Sequence, residues 1–472
     1  MRAPTFLSPL RALGAAVLLL AAGCEESLNV TNPNSPSLGN AANGRAAVGL
    51  AAVGVLNQTR GNILGWVTTT GSYGREYLNL QPQFGNTVFG PYRDWDVIAN
   101  AGLWGGYYAN LRNISILNAL LDTIPANQLA AGETAAMRGF AKTLEALELY
   151  YVIAAKDSLG AVTQVLPDPL AIAPFVARDS VLRYVTNQLD AGLQDLTSAT
   201  TFPFTWPTGF ASGVAVNTVA GFRQFNRALK ARVEAYRASV GCGTPCYTAA
   251  LTALGQSFFT GTSGLTTATL AQGVTVPFSL ASGDVVNGLS SAQFSFVYAN
   301  QAIRDDGTIP GVTADLRYVA KVRTATPSAA DGITSNLQPF VYATGSSPMP
   351  LIRREELVLL FAEASWFTGA TGDALTAINA IRTVSGGLAA RAAFTDTNDF
   401  LTELLNQRRL SLFFEGHRWI DVRRLRGYAG LPAIRWNEPA SFSVATRVRV
   451  PQGECNARRQ TGNAALFGPG CP

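Results

Sequence analysis

The feature that most limits the fold is a repeated one. Eight stretches, 41–58, 91–122, 127–156, 176–197, 216–240, 351–368, 371–384 and 399–416, carry apolar residues at intervals of three or four with few breakers. That spacing gathers apolar side chains on one helix face, and a face so long must be buried against another helix. In 137–153 the face is Phe140, Leu144, Leu147 and Tyr151. Between the fifth and sixth stretches, residues 259–350 lose the period: Gly, Ser, Thr and Pro dominate, with short β-like runs such as 293–298. The pattern predicts a mostly α protein, a helical-repeat scaffold carrying an irregular, loop-rich insertion. Only 14% of residues are charged and 47% are apolar, which excludes a disordered chain and supplies a large core.

The N-terminus sets the compartment. Arg2 and Arg11 accompany an apolar run from Ala12 to Ala22, too short for a membrane-spanning helix and suited to the core of a signal peptide. It ends in Ala21-Ala22-Gly23-Cys24, which resembles a lipobox, so Cys24 is expected to be acylated and to become the new N-terminus. Acyl chains would tie the protein to a membrane without a transmembrane helix. Glu25 and Glu26 resemble an acidic signal for export to the cell surface. The expected organisation is a leader (1–23), an acylated cysteine with an Asn/Pro/Ser tether (24–40), and one domain (41–472). That domain comprises a helical scaffold (41–258 and 351–424), the insertion (259–350) and a C-terminal extension (425–472). Without the leader, 34 Lys and Arg face 31 Asp and Glu, and no basic run occurs, so a nucleic-acid partner is not expected.

Four further cysteines form two local pairs. In an exported chain these read as disulfides Cys242–Cys246 and Cys455–Cys471, free buried thiols being the alternative. Their spacings do not suit zinc, and no histidine lies near either pair.

Catalytic motifs are sparse: GxSxG, P-loop and HExxH patterns are all missing. The one histidine, His417, sits in Glu415-Gly416-His417-Arg418-Trp419, where it reads either as a general base near Asp421 or, as favoured here, as packing after a helix-ending glycine. Asp305-Asp306-Gly307 reads as a solvated turn, with calcium as the competing occupant; no cofactor or metal is expected. On the stretch 399–416, Arg408 and Glu415 share a face with Leu401, Leu404, Leu405 and Leu412. Arg408 therefore either pairs with Glu356 or Glu363 of the preceding helix or snorkels to solvent.

Residues 401–424, LTELLNQRRLSLFFEGHRWIDVRR, resemble the signature of the SusD/RagB family of outer-membrane nutrient-binding lipoproteins. Ile352–Ala364 and Ala377–Arg382 agree with it in order and spacing, as do Leu28–Asn34 and 141–160 with its Asp157-Ser-Leu-Gly ending. The resemblance implies about four tetratricopeptide-like helix pairs with long loops forming the ligand face. It also implies a SusC/RagA-like TonB-dependent outer-membrane transporter, over which the lipoprotein sits as a hinged lid, and an oligosaccharide or peptide ligand bound without chemistry. The competing functions are a lipid-anchored extracellular glycosidase or peptidase, and a purely structural surface protein.

For the ligand surface, Trp66, Tyr73, Tyr77, Phe84, Phe89, Tyr92 and Trp95 fall among Gly, Asn, Gln and Pro, where no regular face exists to bury every ring. Flat rings with polar edges suit sugar faces or peptide side chains. Trp66, Tyr73, Tyr77 and Trp95 are expected to contact the ligand, with Arg75 and Glu76 fixing its hydroxyls or amides. Phe296, Tyr298, Arg304 and Asp305, in the irregular middle, are secondary candidates. Trp104, Tyr107 and Tyr108 lie in a helical stretch and read as packing residues.

Overall fold

The computed structural model describes residues 44–80, 102–166, 168, 171–440 and 442–471. Cys24, its leader and tether, and Phe84, Phe89, Tyr92 and Trp95 lie outside them. Helix α1, Arg45–Tyr73, buries Val48, Ala52, Val55, Thr59, Ile63, Trp66, Thr70 and Tyr73 at steps of three or four. It runs well past residue 58, where the sequence reading stops, because the residues that look like breakers, Asn57 and Gly61, fall on its exposed face.

Four helix pairs make the scaffold. Helix α1 packs on α2 (Gly105–Thr123), α3 (Ala131–Lys156) on α4 (Arg178–Ser198), α5 (Val219–Arg237) on α6 (Thr244–Gly255), and α10 (Arg354–Phe367) on α11 (Thr371–Val384). Each pair stacks on the next through α2–α3, α4–α5 and α6–α10, which makes the protein mostly α with a tetratricopeptide-like architecture. Helix α6 escaped the sequence reading because Cys242–Cys246 and Pro245 look like a turn; the disulfide instead ties its first turn to the end of α5.

The insertion leaves after α6 and returns to the same stack. After a short α7 (Thr267–Ala271), strand β2 (Gly273–Val276) pairs antiparallel with β6 (Met349–Arg353), which leads directly into α10. A second antiparallel sheet has the order β1–β3–β5–β4, from Tyr77–Asn79, Val297–Ala299, Ile333–Pro339 and Val322–Ala330. Its β1 follows α1 closely, so Tyr77 sits opposite Ala299. The segment 322–339 is thus not irregular but a hairpin, turning at Asp331-Gly332 with φ of 46° and 84°. Asp-Gly is a strong hairpin signal. It was masked because β4 is largely exposed and shows no apolar alternation, and because Pro327 falls where the register shifts.

Within the insertion, α8 (Ala302–Asp305) precedes α9 (Leu316–Lys321). Beyond α11, α12 (Thr397–Ser411) stops five residues before the sequence pattern does. Phe414 and Gly416 then take φ of 63° and 81°, reversing the chain into α13 (Arg418–Gly430). A β-carbon on Gly416 would fall 2.6 Å from Trp66 Nε1, so only glycine fits the reversal. The C-terminal extension packs back on the scaffold: Trp419 Nε1 donates to Ala445 O and Val448 N to Ala155 O. Helix α14 (Gln452–Gln460) is stapled to the C-terminal turn by Cys455–Cys471.

Candidate functional site

The signature segment forms a buried lattice of ion pairs. Arg408, 3% exposed, bonds through Nε to Asp421 Oδ2 at 2.7 Å. Asp421 Oδ1 accepts from Arg424 Nε at 3.0 Å, and Arg424 Nη2 reaches Glu363 at 2.7 Å. Arg232, on α5, holds Glu356 bidentately at 2.6 Å. Arg353 holds Glu415 at 2.8 Å and also Glu355, which Ser411 Oγ contacts at 2.6 Å. Against the opposing push of burial, Arg353 and Lys321 keep Glu355 down at about 2. Arg408 thus neither pairs with Glu356 or Glu363 nor snorkels. Those glutamates belong to Arg232 and Arg424, and the reversal at 412–416 swings Asp421 under Arg408.

His417 begins α13 inside this lattice. Burial, then the positive Arg232 and Arg408, lower its pKa well below the ordinary imidazole value, so the ring is uncharged at neutral pH. The cavity beside it measures only about 20 Å³, room for roughly one water. That geometry matches the packing reading of His417.

Most of the expected ligand residues are spent on the core. Trp66 packs on Tyr151 with ring centres 4.7 Å apart, Tyr73 on Trp419 at 5.2 Å and Tyr77 on Phe414 at 6.0 Å. Arg75 is buried, with φ of 55°, and clamps Glu438 at 2.9 and 2.8 Å. Glu76 is 2% exposed, and burial pushes its carboxyl up to about 8 against the pull of Arg418 and Arg409. Tyr298 is buried too, its hydroxyl donating to Thr326 O at 3.0 Å. These six side chains offer a ligand little or no surface in this structure. The sequence reading placed Trp66 to Tyr77 in a loop because of the glycines; the run Ile63, Trp66, Val67, Thr70, Tyr73 continues the α1 face and was the available signal.

Phe296 is partly buried against Phe294, while Arg304 and Asp305 remain accessible at the end of α8, joined to each other at 2.6 Å. Asp306 pairs with Arg409 at 2.7 Å. Both carboxylates of the Asp305-Asp306 turn therefore face guanidinium groups, which leaves poor charge for calcium.

Two open clefts adjoin the α3–α4 connection, and Gln164, Val165 and Leu166 line both. One, of about 450 Å³, has Trp104 against Tyr108 at 4.4 Å. Its charges are internally matched: Arg458 bonds Glu454 at 2.6 Å, and Arg112 bonds the Leu166 carbonyl. The other, of about 410 Å³, lies between α2, α3 and α4. There Glu145 Oε1 accepts from Tyr184 Oη at 2.5 Å and Gln188 Nε2 at 3.2 Å. Nothing in the sequence pattern marks Glu145, which looks like one more solvated residue on a helix.

Stacked helix pairs, an interior lattice of paired charges and open clefts above it define a helical-repeat scaffold that presents surfaces. Residues 334–461, which hold most of the lattice, match the SusD family. The described fold is similar to NanU of Bacteroides fragilis, with 15% identity, TM-score 0.61, and 90% of this chain and 96% of that one covered. It is similar also to a SusD superfamily protein of Bacteroides vulgatus, with 15% identity, TM-score 0.63 and coverages of 89% and 98%. A SusD/RagB family protein of Bacteroides thetaiotaomicron matches with 15% identity, TM-score 0.60 and coverages of 90% and 97%. No curated protein matches in sequence. The SusD-family match over residues 334–461 and the shared fold agree with the SusD/RagB resemblance of the sequence. The SusD-family match supports a nutrient-binding role; SusD-like proteins are typically non-catalytic and associated with the outer membrane as lipoproteins. Among the described residues no helix is long and apolar enough to cross a membrane.

Proposed function

We propose that this protein is an outer-membrane lipoprotein, acylated on Cys24 and facing the cell exterior, that captures an oligosaccharide or peptide. It delivers the ligand to a SusC/RagA-like TonB-dependent transporter, over which it acts as the lid, and it performs no chemistry on the ligand. The observation that carries this reading is the family match over 334–461 falling on a buried ion lattice: what the chain shares with the family is the means of holding a scaffold rigid. Ligand contact is assigned to the loop surface, where Trp95, Phe296, Arg304 and Asp305 remain the candidates of the sequence reading. Fatty-acid label should enter the wild type and be lost in Cys24→Ala, and a large outer-membrane barrel should co-purify with the chain. Purified protein incubated with mixed glycans and peptides should bind without turnover. Release of cleaved product by the purified chain would replace this reading with a lipid-anchored hydrolase.

A further inference from the structure

The two clefts beside the α3–α4 connection differ in what their polar groups are doing. In the larger one, apart from Gln164, which lines both, the charged groups are bonded within the protein, Arg458 to Glu454 and Arg112 to the Leu166 carbonyl. In the smaller, Ser115, Asn118, Thr163 and Gln164 make no side-chain hydrogen bond among the described residues, and all four line the cleft together with Glu145. Glu145 is oriented by Tyr184 and Gln188, both donating to Oε1, which leaves the lone pairs of Oε2 available. Hydrogen-bonding groups held in place but lacking partners, in a cleft within the roughly 300–1,000 Å³ range of small-molecule sites, are a binding arrangement.

We propose that this cleft binds a neutral pyranose unit of a glycan. Charge narrows the class first: Glu145 is the only ionisable group besides Tyr184 in the lining, so uronates, phosphates and other anions meet a carboxylate with no counter-charge. Hydrogen-bond chemistry narrows it further. Asn118 and Gln164 each present both an amide N–H and a carbonyl, and Ser115 and Thr163 each present a hydroxyl that donates or accepts. A ring of adjacent hydroxyls, each donor and acceptor at once, can satisfy all of them. Ile114, Val165, Leu166 and the Tyr184 ring supply the apolar surface on which the C–H face of a sugar rests. Burial raises the Glu145 pKa while Tyr184 and Gln188 oppose it, consistent with a carboxyl withdrawn from bulk water.

The site lies between α2, α3 and α4 and is not lined by Phe296, Arg304 or Asp305, so the two readings stand or fall separately. The test uses the full chain in a detergent without a sugar head group. Calorimetry and saturation-transfer NMR are run with maltose, cellobiose, lactose and N-acetylglucosamine, and with glucuronate and glucosamine as charged controls. Ser115→Trp fills the cleft from a half-exposed helix position; Asn118→Ala and Glu145→Gln each remove hydrogen bonds without adding bulk and carry the test if Ser115→Trp does not fold. At least one neutral sugar should bind, weaken about tenfold or more in these variants, and be indifferent to Arg304→Ala, which lies outside the lining. Glucuronate should not compete. The proposal is overturned if none of the four neutral sugars binds, if binding survives the cleft variants unchanged, or if glucosamine binds more tightly than N-acetylglucosamine. Binding lost in Arg304→Ala but intact in the cleft variants would overturn it and at the same time uphold the loop surface.

Discussion

Replacing Glu148 with Gln should change how the stability of this protein depends on pH. Glu148 lies on α3 at 0% exposure, where helices α1, α2 and α3 meet. It accepts from Thr59 Oγ1 at 3.0 Å, Asn62 Nδ2 at 2.8 Å and Asn110 Nδ2 at 2.6 Å, all neutral donors. Burial outweighs these bonds and raises its pKa from 4.5 to about 7. Between those values the unfolded carboxyl has lost its proton while the folded one keeps it, so the native state binds more protons and stability falls as pH rises. The stabilisation is fully present below about 4.5 and gone above about 7. At about 1.36 kcal/mol per pH unit the full span is worth about 3 kcal/mol, most of which falls between pH 5 and pH 8. The amide introduced by Glu148→Gln cannot titrate. Its N–H₂ would also face the Asn62 amide, whose Oδ1 already accepts from Gln58 at 3.1 Å and whose Nδ2 also donates to Gly106 O, so the variant should be weaker at acid pH. The readout is therefore the slope. Urea unfolding followed by circular dichroism at pH 5 and pH 8 should show the gap between wild type and variant shifting by about 2–3 kcal/mol in the variant's favour at the higher pH. Parallel profiles for the two proteins would refute burial as the cause.

Arg408→Ala should cost about 3–5 kcal/mol in the same assay because it takes one of two guanidinium groups from buried Asp421 and leaves Arg424 to face both Asp421 and Glu363; a loss under about 1 kcal/mol would mean that Arg424 and solvent already screen the carboxylate. Trp66→Ala should destabilise by about 3–5 kcal/mol, since the ring is core against Tyr151 and not a ligand platform; an unchanged melting temperature with weakened ligand binding would restore the loop reading. Of the two disulfides, removing Cys455–Cys471 should cost more, about 3 kcal/mol against about 2 for Cys242–Cys246, because it closes the longer loop; paired Cys→Ala variants and their urea midpoints decide it.

The helical class, the places of most scaffold helices and the family resemblance were legible in the sequence because a buried helix face and a long specific signature are local patterns, written in consecutive residues. Both cysteine pairings could likewise be read, each joining close neighbours in the chain. Tertiary structure alone decided which aromatics are core. Trp66 and Tyr73 look exposed beside glycines until the continued α1 presents them to Tyr151 and Trp419, residues that chain distance keeps apart. Arg408 shows the same limit: its spacing announced a buried charge, yet its partner came from a reversal at Phe414 and Gly416 that no periodicity marks. The cleft of Ser115, Asn118, Glu145 and Gln164 was invisible for a related reason. Each of these polar residues is unremarkable on its own segment, and only the packing of α2, α3 and α4 turns separate solvated positions into one concave surface.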